Sequence, residues 1–542
     1  MEERKKDMQE RLHGRIPAMH DILKITGQPG LSVGVIYQGE EIFKHNIGNR
    51  SVEACLLVDS DTLFCIGSLS LAFMSTSLDL LSRDHGLSWD QPVAKIIPEF
   101  RNVNQPTGFK GITIKDILSH TTGFESLDEI TQGLNGRILV AKKDLVEVCN
   151  ALLFQQHKLR SRCSYNNAMY ALAGEVVERI SGQNWGEFQR DRIFKPLGMD
   201  RTTAFDSVHE ADGNIAKPYM TLSDGTLFQT RPTELSAESM NGGSGGIRSS
   251  VNDLLKWCKC QFRAFEPEPE SEDLSSEKPF VVRRGSPVFE PIVPINSYST
   301  RPSYYCAGWC HHRTPGALGL ISPNRALATP AIGKDKRPLR VFGHQGDVPG
   351  YTCNLYIIPS TKSAIVVLSN GTGLSDATDW IAQDLIQTMH SMSPRIDFVE
   401  LAQEAREKYL TQYETLYCEP LRQHRRQRGN TPSPLEDFIG TYYMNNLKIV
   451  FIEIKRSEKD ANKLAMLVNG YADQALDLWH YHFDVFCHLP ESLDACLRAG
   501  FYRSSWENTL IEFQRDDKGQ ITSLTWKLNS MNIIFSRGET CK

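Results

Sequence analysis

Phe64-Cys65-Ile66-Gly67-Ser68-Leu69-Ser70-Leu71 is the stretch on which the fold of this chain turns. From Ser68 to Arg83 the apolar residues fall at helical spacing, with Leu71, Met74, Leu78 and Leu81 on one side, and the pattern stops at His85-Gly86. The spacing predicts that Ser68 opens a buried helix. At such a position the free backbone N–H groups and the helix dipole stabilise negative charge developing near the hydroxyl, which makes Ser68 a candidate nucleophile. Taken alone, a serine at a helix start is more often a plain N-cap.

Two distant segments also place polar groups where a core pattern does not call for them. Cys163-Ser164-Tyr165-Asn166-Asn167-Ala168-Met169-Tyr170 precedes a helix predicted over 167–180; Tyr165 offers a phenol for proton transfer and Asn167 an amide to hold a substrate group. The bland alternative is a packed tyrosine and an asparagine helix cap. Val341-Phe342-Gly343-His344-Gln345-Gly346-Asp347-Val348-Pro349-Gly350-Tyr351 reads as a strand, predicted over 341–343, followed by a glycine-bearing stretch. Its glycines permit close backbone approach along which a substrate could lie, with Gly346 and Asp347 as binding positions and His344 able to donate, accept or carry charge. A buried structural histidine is the competing account.

The order Ser68, Tyr165-x-Asn167, His344-x-Gly346 resembles the Ser-x-x-Lys, Tyr-x-Asn, Lys/His-x-Gly series of the serine β-lactamase and penicillin-binding-protein family, including class C β-lactamases, D-alanyl-D-alanine carboxypeptidases, esterases and fungal polyketide-pathway acyltransferases. Thr113-Ile-Lys-Asp-Ile-Leu-Ser-His-Thr-Thr-Gly-Phe124, Lys195-Pro-Leu-Gly-Met199 with Thr202-Thr203, and Gly242-Gly-Ser-Gly-Gly-Ile-Arg-Ser-Ser250 with Asp253-Leu-Leu-Lys-Trp257 are similar to framework segments of that family, so the resemblance spans about residues 15–392. It implies an α+β fold, a β-lactamase/transpeptidase-like antiparallel sheet flanked by helices, with Ser68, Tyr165 and His344 as catalytic residues and Asn167, Gly346 and Asp347 at the substrate.

One departure bears on mechanism. The family's lysine, one turn after the serine, helps take the serine proton and keeps the tyrosine pKa low; residues at i and i+3 share a helix face, which is why the amine reaches. Here that position is Leu71. Without a nearby cation Tyr165 is expected to drift toward its reference pKa of about 10, leaving little phenolate at neutral pH. Three functions are compatible with this. One is a serine hydrolase or acyltransferase in which His344 or Tyr165 serves Ser68 as base. Another is a non-covalent cyclase or isomerase using the same cleft, and the third a ligand-binding pseudoenzyme. Retention of the hydroxyl, phenol and imidazole favours an enzyme acting on a small carbonyl-bearing metabolite (ester, amide or thioester), by family analogy in specialised metabolism.

The remaining chain supports this frame. Leu31 to Tyr37 and Glu41 to Ile47 read as a hairpin around Gln38-Gly39, further helices are predicted at 114–118, 251–262 and 375–389, and strands at 355–358 and 363–368. The acidic, Pro/Ser-rich stretch 266–277 reads as an insertion. A charged helix over 397–416 leads into the basic run Arg422-Gln-His-Arg-Arg-Gln-Arg428, read as a linker, so the expected division is a β-lactamase-like domain over 1–395, a helix and linker over 396–434, and a small β-barrel over 435–542. Opening with Phe438-Ile-Gly-Thr-Tyr-Tyr443, that last part resembles the lipocalin-like accessory domain of some of these hydrolases. A formal net charge of -5 over 542 residues gives no field to recruit nucleic acid or an anionic membrane. No signal-peptide pattern and no apolar run of about 18 residues is present, so a cytoplasmic location is expected. The 13 cysteines are scattered, and Cys306-Ala-Gly-Trp-Cys310-His311-His312 lacks a second ligand pair, so neither disulfides nor a metal is expected; no cofactor is called for. The expected partner is a small-molecule substrate. None of these patterns speaks to oligomeric state.

Overall fold

The structure, a computed structural model, describes residues 2–101, 111–206, 213–267, 280–295, 302–425, 433–501, 505–529 and 531–538. Most of the acidic stretch 266–277 and residues 426–428 of the basic run lie outside these. Among the described residues nine strands form one sheet, in the order Leu56–Leu57, Glu40–Ser51, Gly30–Tyr37, Ser363–Ser369, Tyr351–Ile358, Arg340–Val348, Cys310–Arg313, Tyr304–Tyr305, Val293–Pro294. All neighbours are antiparallel, and the N-terminal hairpin is zipped to the late strands by Gly30–Tyr37 against Ser363–Ser369, with Val33 opposite Val367. The hairpin turns on Gln38 and Gly39, both at positive φ (53° and 84°), the backbone that a two-residue turn matching strand twist requires.

Both faces of the sheet are covered, which is why its central strands read as apolar runs rather than alternations. Leu31, Val33, Val35, Tyr356, Ile365 and Val367 point to one side, onto Ile16–Thr26 and Ala377–Met389, with Trp380, Ile381 and Leu385. The intervening Leu355, Ile357, Ala364, Val366 and Leu368 point to the other, where Ser70–His85 and Val251–Gln261 pack. Period-two alternation thus sorts one run of hydrophobic residues into two cores. Gly34 belongs here too: a Cβ on it would stand 2.6 Å from Val251, so the missing side chain lets the helix settle on the strand.

The strand carrying His344 is longer than the sequence predicts, running Arg340–Val348 through both glycines. Pairing on both sides, with His344 opposite Leu355 and Gly346 opposite Cys353, overrides the low strand preference of glycine. The helix expected over 397–416 also extends further. Phe398–Gln412 is followed by a wider turn, Tyr413–Cys418, and by Glu419–His424, so the first residues assigned to the linker are helical. An Arg422–Glu414 ion pair and the stacking of His424 on Trp506 at 4.7 Å hold that end.

The C-terminal part is a closed barrel of eight strands, from Gly440–Met444 to Met531–Arg537, joined by pairing of first with last, Tyr443 opposite Ser536. Buried Ile452 and Ile454 alternate with more exposed Glu453 and Lys455, and buried Tyr442, Tyr481, Phe513 and Trp526 contribute to the core. No helix among the described residues is long and apolar enough to cross a membrane.

Candidate functional site

Ser68 lies in a 3₁₀ turn, Gly67–Leu69, ahead of the α-helix Ser70–His85, rather than as the first residue of that helix. Gly67 accounts for the difference: at φ 51° it bends the chain before the helix can begin. The N-cap positions of the two segments are Ile66 and Leu69, so the hydroxyl of Ser68 is not spent on a cap. The turn is held from two sides. Phe64 and Cys65 pair with Ser249 and Arg248, the Ile66 N–H donates to the Ile247 carbonyl at 3.0 Å, and the Ile247 N–H donates to Ser70 Oγ at 3.2 Å. Across from them, a Cβ on Gly346 would stand 2.1 Å from the Ile66 carbonyl oxygen, and one on Gly67 3.1 Å from the Asp347 nitrogen. The side that a Cβ of Gly346 would occupy is therefore filled by the backbone that presents Ser68, so the missing side chain serves the packing of that turn, a use the sequence did not suggest.

Tyr165 stands beside this serine. Its phenol oxygen is buried without a hydrogen bond of ordinary geometry. Burial pushes its pKa well above the usual phenol value, the Ser68 hydroxyl is close enough to pull it partly back, and Tyr170, Cys310 and Cys163 push it further up. None of these groups is a cation, so the phenol is neutral, and burial holds it so more firmly than loss of the lysine alone would. Leu71 is fully buried, with Gly308 so close to its carbonyl that a Cβ there would approach to 2.7 Å.

His344 is almost fully buried, at 1% exposure. Its Nδ1 lies 2.7 Å from the Gln345 carbonyl, which can only accept, so the ring proton is on Nδ1 and Nε2 accepts from the Tyr305 hydroxyl at 3.2 Å. Desolvation lowers its pKa to about 4. The imidazole is thus neutral with both nitrogens engaged, and it is not the free base for Ser68 that the sequence suggested. His120, read from sequence only as framework, joins the site instead. Fully buried at φ 57°, it accepts the Asn166 N–H on Nδ1 at 3.1 Å, which places its proton on Nε2, an atom with no partner. Burial, with His344 nearby, lowers its pKa well below the ordinary value. Its ring lies 4.1 Å from that of Tyr165 and 4.8 Å from that of Tyr305. Tyr305 was equally missed; its only sequence signal is membership of the aromatic stretch before Cys306.

Asn166, not Asn167, occupies the N-cap position of Asn167–Ser181. Asn167 donates its amide to Asp128 at 2.9 Å, so that N–H holds a protein carboxyl whose pKa burial raises. Asp347 is exposed to water yet closely surrounded by protein; that crowding and Asp376 raise its carboxyl pKa. Cys306, Cys310, His311 and His312 diverge: Cys306 Sγ faces the Phe289 carbonyl, His311 stacks on Phe342 and His312 bonds Ser303. Among the described residues no three His, Cys, Asp or Glu side chains are grouped to hold a metal.

Beside Tyr165 opens a cavity of about 340 Å³, lined by Phe124, Ser126, Arg162, Ser164 and Tyr165, and by Asn529 from the barrel.

Residues 18–388 match the β-lactamase family, and residues 424–537 match a domain of unknown function, DUF3471. The chain is 25% identical over 377 residues to the unguisins hydrolase of Aspergillus violaceofuscus, covering 66% of this chain and 61% of that protein. It is 24% identical over 169 residues to penicillin-binding protein 4* of Bacillus subtilis, covering 31% and 36% of the two. The chain thus spans about three fifths of the length of the fungal relative. In structure it is similar to the octameric penicillin-binding protein homologue from Pyrococcus abyssi, with a TM-score of 0.55, 20% identity and coverage of 97% and 99%. That likeness bears on fold alone.

Proposed function

The chain belongs to the β-lactamase family, and we propose that it is a hydrolase that cleaves a small carbonyl-bearing compound, an ester, amide or thioester, through an acyl intermediate on Ser68. The observation that carries this is the uncapped, partly exposed Ser68 hydroxyl beside the buried phenol of Tyr165, in front of a helix N-terminus. A relative named as a hydrolase is consistent with it.

A neutral phenol changes how protons move. Tyr165 does not take the serine proton as phenolate; it receives that proton while passing its own to the leaving oxygen, nitrogen or sulfur. The Ser68 Oγ–carbonyl bond forms as the bond to the leaving group breaks, and the phenol is neutral before and after. Deacylation runs the same relay with water in place of serine. Negative charge on the carbonyl oxygen develops near the N-terminus of Ser70–His85, whose dipole favours it. His120, with its Nε2–H unspent and its ring against Tyr165, positions the phenol.

The test is a p-nitrophenyl ester screen with a fluorophosphonate probe, on the native chain, Ser68→Ala and Tyr165→Phe. Labelling and turnover should vanish in Ser68→Ala, and turnover should fall about 10²- to 10⁴-fold in Tyr165→Phe. Above the titration of Asp347 at about 7 the native rate should be flat to pH 9; a rate rising steadily to pH 9 would show a phenolate base and overturn the relay. Absence of labelling and turnover throughout would overturn the hydrolase.

A further inference from the structure

We infer that a cavity at the far end of the helix Ser70–His85 binds a single-chain amphiphile with an anionic head, of which a long-chain carboxylate is the simplest. The cavity holds about 760 Å³, within the range of sites that take a small molecule. Leu80 and Arg83 bring the last turns of the helix to it, and at a rise of about 1.5 Å per residue Arg83 stands roughly 20 Å along the axis from Ser70. The site is thus separate from the candidate active site and does not rest on the proposed hydrolase. Its apolar wall is made by Leu80, Pro196, Leu197, Val281 and Phe280, the last a large hydrophobic side chain left 36% exposed inside a concavity.

The charged side chains around the same space are Arg83, Arg192, Lys256, Lys259 and Arg263, against one carboxylate, Glu266. Ion pairing does not cancel this surplus. Arg83 and Arg192 share Asp84, Lys259 shares Glu41 with Lys44, Lys256 pairs with Asp253, and Glu266 pairs with Lys362, which makes seven cations to four carboxylates among the described residues. The Arg263 guanidinium lies over the Phe280 ring, 3.2 Å from its centroid, so the cationic and apolar parts of the lining are in contact. A bound molecule therefore gains charge-assisted hydrogen bonds and hydrocarbon burial together only if it carries an anionic head on an apolar chain. A small inorganic anion would leave the apolar wall in water. The stretch 268–279, which joins the two sides of the cavity in sequence, has Glu268, Glu270, Glu272, Asp273 and Glu277 but only one large apolar side chain, Leu274, so it matches the charge and not the wall.

The probes are decanoate, its uncharged N-methylamide and acetate, titrated calorimetrically against the full native chain and three variants. The native chain should bind decanoate at least about ten-fold more tightly than the amide, and at least about a hundred-fold more tightly than acetate. The double variant Lys259→Gln/Arg263→Gln should bring decanoate within about two-fold of the amide. Phe280→Ser should weaken both, with melting temperatures confirming that each variant folds. No binding of decanoate, equal affinity for decanoate and its amide, acetate bound as tightly as decanoate, an undiminished preference in the double variant, or no loss in Phe280→Ser would overturn the site. The third variant carries Glu268→Gln, Glu270→Gln, Glu272→Gln, Asp273→Asn and Glu277→Gln, and should bind decanoate less than about ten-fold more tightly than the native chain. A larger gain would make the chain's own acidic stretch the occupant and overturn the amphiphile.

Discussion

Replacing His344 by asparagine should flatten the acid side of the stability profile. The imidazole is 1% exposed and its pKa lies at about 4, against 6.5 in an ordinary setting. Above pH 6.5 it is neutral in both folded and unfolded chains and contributes no pH dependence. As pH falls through 6.5 the unfolded chain takes up a proton that the buried ring refuses, so stability is lost progressively until the folded ring titrates near pH 4. The full span corresponds to about 3.4 kcal/mol, of which about 2.5 kcal/mol is lost by pH 4.5. Asparagine does not titrate, and its amide can still donate to the Gln345 carbonyl. It leaves the Tyr305 hydroxyl without its acceptor, at a pH-independent cost of about 1–3 kcal/mol. Urea unfolding at pH 7.0 and 4.5 separates the two effects. His311, whose pKa burial lowers, titrates in both proteins and cancels in the comparison, whereas His120 and His312, whose pKa values His344 helps to lower, are less depressed in the variant and add to the difference in the same direction. Between the two pH values the native chain should lose at least about 2.5 kcal/mol more than His344→Asn. Equal losses would mean that His344 protonates within the fold as easily as outside it, and the assigned tautomer and hydrogen bonds would be wrong.

Gly346→Ala should cost about 3 kcal/mol and abolish fluorophosphonate labelling, because its Cβ would stand 2.1 Å from the carbonyl that presents Ser68; unchanged melting with full labelling would contradict this. Leu71→Lys should lower stability by about 3–5 kcal/mol, the cost of an uncompensated buried charge, while raising ester turnover at alkaline pH by drawing Tyr165 toward phenolate; a stable variant with no rate gain would show that the amine does not reach the phenol. Asp376 and Asp379 are buried together, and burial raises both pKa values, so stability from this pair is greatest at low pH and is lost as pH rises through the folded values. Asp379→Asn should therefore be more stable than the native chain at pH 8 and lose that advantage near pH 4; chemical denaturation at the two pH values checks it.

Much of the fold was legible because it rests on local patterns. The hairpin over 30–51, the helices at 114–118, 167–181 and 251–261, and the strand 521–528 carry their own periodicity and turn residues, and the structure returns them within a few residues. The order Ser68, Tyr165, His344 pointed to one cleft from three segments, since a serine, a phenol and an imidazole outside any core pattern need a shared reason. The amino acids alone also determined that position 71 cannot supply an amine.

What only the tertiary structure decided is how each polar group is used, because hydrogen-bond partners come from residues far away in the chain. His344 is spent on Tyr305 and Gln345, Asn167 on Asp128, and Gly346 on Ile66, none of which a one-dimensional pattern reveals. His120 enters the site because a left-handed backbone turns its ring onto Tyr165, and Asn529 does so because the barrel docks on the loop after Phe124. Burial sets protonation, and burial is a property of the packed assembly: it keeps Tyr165 a neutral phenol and His344 a neutral imidazole in a site whose residue types alone would also fit a charged one.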